Sequence, residues 1–159
     1  MKFSITLKLD IPASKIDLYQ WLTGLTSEEY ESFSKSHIAM GKYKDGKGTR
    51  LINVEDIGGG LITQYYYFRK VEKDHVILNS DRSLVLVLHW FPVRIKVPWE
   101  MRVAEDSTGQ TILSCAIGAI FPHMLLEIAA KSMFLGYFLR KHLREEAQAF
   151  AIDLHSKFS

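Results

Sequence analysis

Histidines, one cysteine and a few paired carboxylates are the side chains here that could do chemistry. His89 draws the eye first, because it sits beside Trp90 just after Leu84-Val85-Leu86-Val87-Leu88, a stretch apolar at every position. A histidine there is expected to be buried, where it could act as a general acid or base or anchor a ligand carbonyl or hydroxyl. A histidine satisfied within the core explains the same pattern. His37 opens a strand and His75 follows a turn, so both are expected at the surface, and His155 has no assigned role. His123 and Glu127 share a helix face as metal ligands can, and His142 and Glu146 repeat the spacing. Neither pair forms His-Glu-x-x-His, spacing supplies no third ligand, and the helix dipole accounts for a glutamate in a first turn. No metal and no cofactor is expected.

Nucleophilic catalysis has thin support. No Gly-x-Ser-x-Gly elbow is present, and Cys115 has no base partner in the sequence and reads as a small buried strand residue. Lys47-Gly48-Thr49 lacks the upstream glycine of a phosphate loop and reads as a hairpin turn. Gly58-Gly59-Gly60 is a flexible turn that could gate a cavity. Arg94, Lys96 and Arg102 share a strand face with Glu100, the mixed charge of a solvated sheet face. Arg69 would suit a ligand carboxylate if its strand face points inward. Aromatics on both faces of that strand leave its orientation open. The aromatic surplus itself carries more weight: Tyr65-Tyr66-Tyr67-Phe68, Trp90, Phe91, Trp99, Phe134, Tyr137 and Phe138 exceed what a minimal core requires. Ligand pockets are mostly apolar and aromatic, and buried Tyr and Trp need polar partners. A cavity is therefore expected.

The elements that would position these groups begin with a strand, where Phe3, Ile5, Leu7 and Leu9 alternate with polar residues. Pro12 ends it. Ser14 is a candidate N-cap for a helix carrying Ile16, Leu18, Tyr19 and Leu22, stopped by Gly24. Thr26 or Ser27 with Glu28-Glu29 starts a second short helix ending near Lys35. Strands are expected near 37–43, 49–56, 61–71, 75–79, 83–91, 93–104 and 110–121, with turn chemistry between them. Such short links imply an antiparallel meander. Val93, Ile95, Val97, Trp99, Met101 and Val103 face the interior and alternate with a water-facing set, in which Pro98 suggests an edge position or a bulge. The doubly apolar 84–88 should have its second face covered by a small helix or another subunit. One long helix is expected from Phe121-Pro122 to about Ser156, with Pro122 at its first position and a stripe running from Leu125 to Leu154. Its first half is apolar almost all round, so it is enclosed or faces something other than water.

A chain of 159 residues, 47% apolar and 24% charged, is one ordinary domain, residues 1–159, able to bury a core without staples. A formal charge of +2 is too mild for nucleic acid. One cysteine excludes an internal disulfide and is compatible with a reducing compartment. The start lacks the apolar run of a signal peptide, and no apolar run reaches a membrane span. A cytoplasmic location is expected.

Strand, two short helices, an antiparallel run and a long C-terminal helix is the helix-grip order, an α+β fold in which a curved sheet wraps the helix. At the residue level, Leu9-Asp10-Ile11-Pro12-Ala13-Ser14-Lys15-Ile16-Asp17-Leu18-Tyr19-Gln20-Trp21-Leu22 and Leu139-Arg140-Lys141-His142-Leu143-Arg144-Glu145-Glu146 resemble the START-like superfamily, the SRPBCC or Bet v 1-like group with its polyketide cyclase-like branch. The stretch His89-Trp90-Phe91-Pro92-Val93 departs from the resemblance, being bulky and apolar where a more polar hairpin would stand. The resemblance implies a cavity that binds a hydrophobic or aromatic small molecule, lipid-like or polyketide-like. Candidate ligand contacts are Tyr66, Phe68, His89, Trp90, Trp99 and Met101 from the sheet and Met133, Phe134, Tyr137 and Phe138 from the helix. The enzyme alternative is a cyclase, dehydratase or hydrolase with His89 as acid/base, the one weak catalytic candidate. A third reading makes the apolar helix and strand a homodimer or membrane-docking surface, with membrane contact the less favoured.

Overall fold

A computed structural model describes residues 1–159. Strand β1 (Lys2–Leu9) leads through a short 3₁₀ turn (Ala13–Lys15) to helices α1 (Leu18–Gly24) and α2 (Ser27–Phe33). Six strands follow: β2 (His37–Asp45), β3 (Gly48–Ile57), β4 (Gly60–Val71), β5 (His75–Val87), β6 (Phe91–Glu105) and β7 (Thr111–Gly118). Helices α3 (Met124–Ser132) and α4 (Leu135–Phe158) close the chain. The seven strands form one antiparallel sheet in the order β1-β7-β6-β5-β4-β3-β2. The meander therefore runs unbroken from one edge, and β1 pairs with the last strand.

Local chemistry explains most boundaries. The Thr26 hydroxyl accepts from the Glu29 N–H at 3.1 Å and the Glu29 carboxylate accepts from the Thr26 N–H at 2.8 Å, a reciprocal cap that starts α2. α1 is capped by Asp17, whose carboxylate accepts from Gln20 N–H at 2.8 Å, rather than by Ser14. α4 lays Leu139, Leu143, Ala147, Phe150 and Leu154 on the inner face of the sheet, where they meet Trp21, Trp99 and Phe33.

Three expectations are corrected. Positions 75–79 and 83–91 do not make two strands: β5 runs through Asn79-Ser80-Asp81 as a bulge. Fully buried Ser80 accepts from Tyr65 N–H at 2.8 Å and from the Ser83 hydroxyl at 2.8 Å, so side chains replace the lost ladder bonds. Pro98 lies on β6, an interior strand, and fits because Gly118 opposite it leaves room: a Cβ there would be 2.8 Å from Pro98 Cγ. Finally, the long C-terminal helix is two helices. α3 starts at Met124 after His123, past Pro122, and the chain breaks at Phe134, which takes the left-handed conformation at φ 58°. α3 buries no residue, whereas α4 is buried from Leu139 onward.

Candidate functional site

Under α3 and the start of α4, on either side of the break at Phe134, a cavity of about 360 Å³ opens against the sheet. Its walls are Val93, Ile95 and Val97 of β6, Val85 and Val87 of β5, Ile62 of β4 and Ile117 of β7. Its roof is Leu126, Ala129 and Ala130 of α3, Met133 just past its end, and Leu135 and Leu139 of α4. The hairpins Gly58-Gly59-Gly60 and Leu88 to Phe91 border it. Gln64 is the sole polar side chain in the lining. Gln64 is 1% exposed; its amide N–H donates to Glu55 Oε2 at 3.3 Å, which turns Oε1 away, and Oε1 has no partner.

The mouth is held in unusual backbone. Leu88 (φ 50°) and His89 (φ 63°) occupy the centre of the β5–β6 turn, closed by His89 N–H to Leu86 O at 3.0 Å and Trp90 N–H to Val87 O at 3.1 Å. Both central residues at positive φ define a type I′ turn, usually made by Asn and Gly. With Phe134 these are all the non-glycine residues at positive φ, and all three lie at this end of the cavity. Exposed apolar side chains cluster around it: Leu88, Trp90, Phe91, Met124, Leu125, Met133, Phe134 and Tyr137.

A second, polar group of side chains lies deeper. His37 and Glu55 are cross-strand partners in β2 and β3, and His142 and Glu146 stand one turn apart on α4. All four are buried. His37 Nε2 is 3.4 Å from Glu146 Oε1, and His142 Nε2 is 3.7 Å from Glu55 Oε2; neither contact has hydrogen-bond alignment. The Tyr30 hydroxyl donates to Glu55, and the Tyr30 ring stacks on His37 with centroids 3.9 Å apart. Burial opposes a charge on His37, but Glu146, Glu55 and the Tyr30 carbonyl outweigh it and raise its pKa. Burial likewise opposes the Glu146 charge, yet His37, His142 and the Trp99 N–H hold its carboxyl below the usual range.

The sequence candidates separate. Only Met133 lines the large cavity. Tyr66 and Trp99 face inward around a smaller void of about 30 Å³ that also touches Glu55 and Glu146. Phe68 packs edge-on against Tyr19 at 5.1 Å, and Met101 is fully buried in the core. Phe138 rests on Gly58, while Phe134 and Tyr137 point outward at the rim. Trp90 is 82% exposed. His89 is not buried: it stands in the exposed turn, 3.2 Å from Asp56. Leu84 and Leu86, on the outer face of 84–88, are partly buried within the single chain. Ile62, Gln64, Tyr66 and Phe68 are the inward set of β4, which puts Arg69 on the outer face, away from any cavity ligand. His37, expected at the surface, is buried. Sequence reading passed over Gln64 and Glu55, although Gln64 interrupts the inward apolar series Ile62 to Phe68 and Glu55 follows Asn53 between the inward Leu51 and Ile57, and that was the available signal.

Fold and cavity together define the class: this chain has the START-like helix-grip fold. No protein-family model matches it, and no curated protein sequence does. Solved structures similar to it include a START superfamily protein from Mycobacterium smegmatis, at 12% identity and TM-score 0.52 over 99% of this chain and 96% of that one. The ginseng major latex-like protein 151 from Panax ginseng aligns at 11% identity and TM-score 0.59 over 96% of each chain. The ZhuI aromatase/cyclase from Streptomyces sp. R1128 aligns at 11% identity and TM-score 0.63, covering 100% of this chain and 96% of that one. At such identities the likeness is one of fold. No helix is long and apolar enough to cross a membrane.

Proposed function

We propose that the protein binds a compact hydrophobic molecule in the cavity of about 360 Å³, with one hydrogen-bond donor of the guest meeting Gln64 Oε1. The observation that carries this is the lining: apolar throughout except for one buried amide with an unmatched acceptor. A buried unmatched acceptor costs about 1–3 kcal/mol, and a guest hydroxyl would recover it. The volume sits near the lower end of the roughly 300–1,000 Å³ of small-molecule pockets, which favours a single chain or a small ring system. An aromatase/cyclase and a latex-like protein among the fold neighbours support a hydrophobic guest. Acid/base chemistry by His89 loses its support, because the imidazole stands outside the cavity.

The test uses displacement of a neutral fluorescent probe, N-phenyl-1-naphthylamine, by medium-chain alcohols and the matching alkanes. Ala130→Trp fills the cavity and should weaken probe binding at least tenfold. Gln64→Leu should keep probe binding and erase the preference for alcohols, a factor of about 2–12 for a hydrogen bond of 0.5–1.5 kcal/mol. Unchanged probe binding in Ala130→Trp would place the site elsewhere. The exposed apolar rim also supports contact of the mouth with a membrane or a second copy. Liposome flotation and sedimentation separate these, and a monomer that does not float removes both.

A further inference from the structure

We propose that His37, Glu55, His142 and Glu146 form a binding site for one divalent transition-metal ion, of the zinc or cobalt type, that ties α4 to β2 and β3. Their ligand atoms lie within 4.8 Å of one another, and the side chains are only 0%, 4%, 2% and 6% exposed. Spacing along the chain offers one pair, His142 and Glu146 on successive turns of α4; the sheet register brings the other two to it.

The imidazoles are oriented for metal. His37 Nδ1 lies 2.6 Å from the Tyr30 carbonyl, which can only accept, so the proton sits on Nδ1 and Nε2 faces the cluster. His142 Nδ1 has the Ser34 hydroxyl 3.4 Å away, and its Nε2 also faces the cluster. Both Nε2 atoms are buried without a hydrogen-bond partner. Outer contacts hold the Glu55 carboxylate in the same way, with Tyr30 and Gln64 both donating to it. An imidazole with its second nitrogen on a carbonyl, beside hydrogen-bonded carboxylates, is the usual outer support of a metal site.

Distances and charge agree. Bonds of about 2.0–2.1 Å to nitrogen and oxygen put tetrahedral donor atoms about 3.3 Å apart. The nearest nitrogen–oxygen contacts, 3.4 and 3.7 Å, are close to that edge. The wider separations, up to 4.8 Å, must shorten as the ion binds. Two carboxylates and two neutral imidazoles around a dication sum to zero charge, a balance that a buried site requires. Two nitrogen and two oxygen donors suit zinc, cobalt or iron and do not suit calcium or magnesium.

The experiment is elemental analysis of the full chain expressed without a histidine tag, then chelation and titration with Co²⁺ and Zn²⁺. One ion per chain, visible absorption of tetrahedral Co²⁺, and a Zn²⁺-dependent rise in Tm of about 5–10 °C at a hundredfold excess over Kd are expected. His142→Gln and Glu146→Gln should each lose the cobalt spectrum. Should either variant fail to fold, X-ray absorption of the wild-type cobalt complex decides, with two imidazoles in the shell expected. Wild-type protein with no cobalt absorption and no shift of Tm overturns the site, and leaves the cluster as a pair of buried ion pairs.

Discussion

The break at Phe134 decides whether a cavity exists, because a straight helix would not carry α3 over the sheet as a roof. It can be tested by comparing Phe134→Gly with Phe134→Ala. The ring is 72% exposed and both variants remove it, so its burial cancels in the comparison. With φ at 58°, an L residue carries a strain of about 1–2 kcal/mol that glycine does not. Glycine also gives the unfolded chain more freedom, which returns about 0.4–1 kcal/mol. The glycine variant should thus be the more stable by about 1 kcal/mol. Were the helix continuous through this point, glycine would instead cost about 1 kcal/mol relative to alanine. The two geometries differ in sign, by about 2 kcal/mol in total. Urea denaturation at an m value of about 1–3 kcal/mol/M reads the difference as a shift of roughly 0.3–1 M in the midpoint. A midpoint lower for glycine than for alanine would refute the break and, with it, the roof.

Two further outcomes test the surroundings. Gly58→Ala places a Cβ 2.7 Å from Phe138 Cδ2 at a φ of 61°, so strain and overpacking together should cost about 2–5 kcal/mol and lower Tm by roughly 5–15 °C. Phe138→Ala added to it should recover the steric share, and a double variant as unstable as the single would place the cost in the backbone alone. Cys115 is buried, and burial, with the Glu146 charge behind it, pushes its thiol well above the ordinary range. A thiol reagent should therefore leave the native protein unmodified and take up one equivalent after denaturation. Modification at the rate of a free thiol would mean that β7 opens readily.

What was legible in the sequence follows from how far apart the cooperating residues lie. β6 could be read because each inward residue from Val93 to Val103 is apolar and each outward one but Pro98 is charged, a signal contained in one short window. α2 could be read because its cap is closed within four residues. The turn at Leu88-His89 was hidden, since it contains none of the residues that mark a type I′ turn, and an apolar run through a turn looks like a strand. His89 was misplaced for that reason. The polar cluster was half visible: His142 and Glu146 share a helix face, while His37 and Glu55 reach them only through the register of β2 on β3. Pairwise register lies outside any single window. The Phe134 break had no local signal either, because Met133-Phe134-Leu135 carries no residue that disfavours a helix strongly.

One group of destabilising features gathers at a single end of the fold. Leu88, His89 and Phe134 each hold a left-handed backbone without being glycine, at about 1–2 kcal/mol apiece. Gln64 buries an acceptor with no partner. Leu88, Trp90, Phe91 and Phe134 leave large apolar surfaces in water. None of these helps the sheet pair or α4 pack, and no residue beyond Phe134 other than glycine takes a positive φ. All of them touch or border the same cavity. Strain that the rest of a structure holds in place at one site is a ground for assigning function to that site. It also sets the direction of the coupling: a guest that satisfies Gln64 and covers the apolar mouth removes part of these costs, so binding should stabilise the fold. Gln64→Leu should then reduce the stabilisation gained from an alcohol, while the free protein sheds an unmatched acceptor and loses the bond to Glu55. Thermal denaturation with and without the alcohol reads that reduction. An unchanged alcohol-dependent shift in the variant would show that the guest does not meet Gln64.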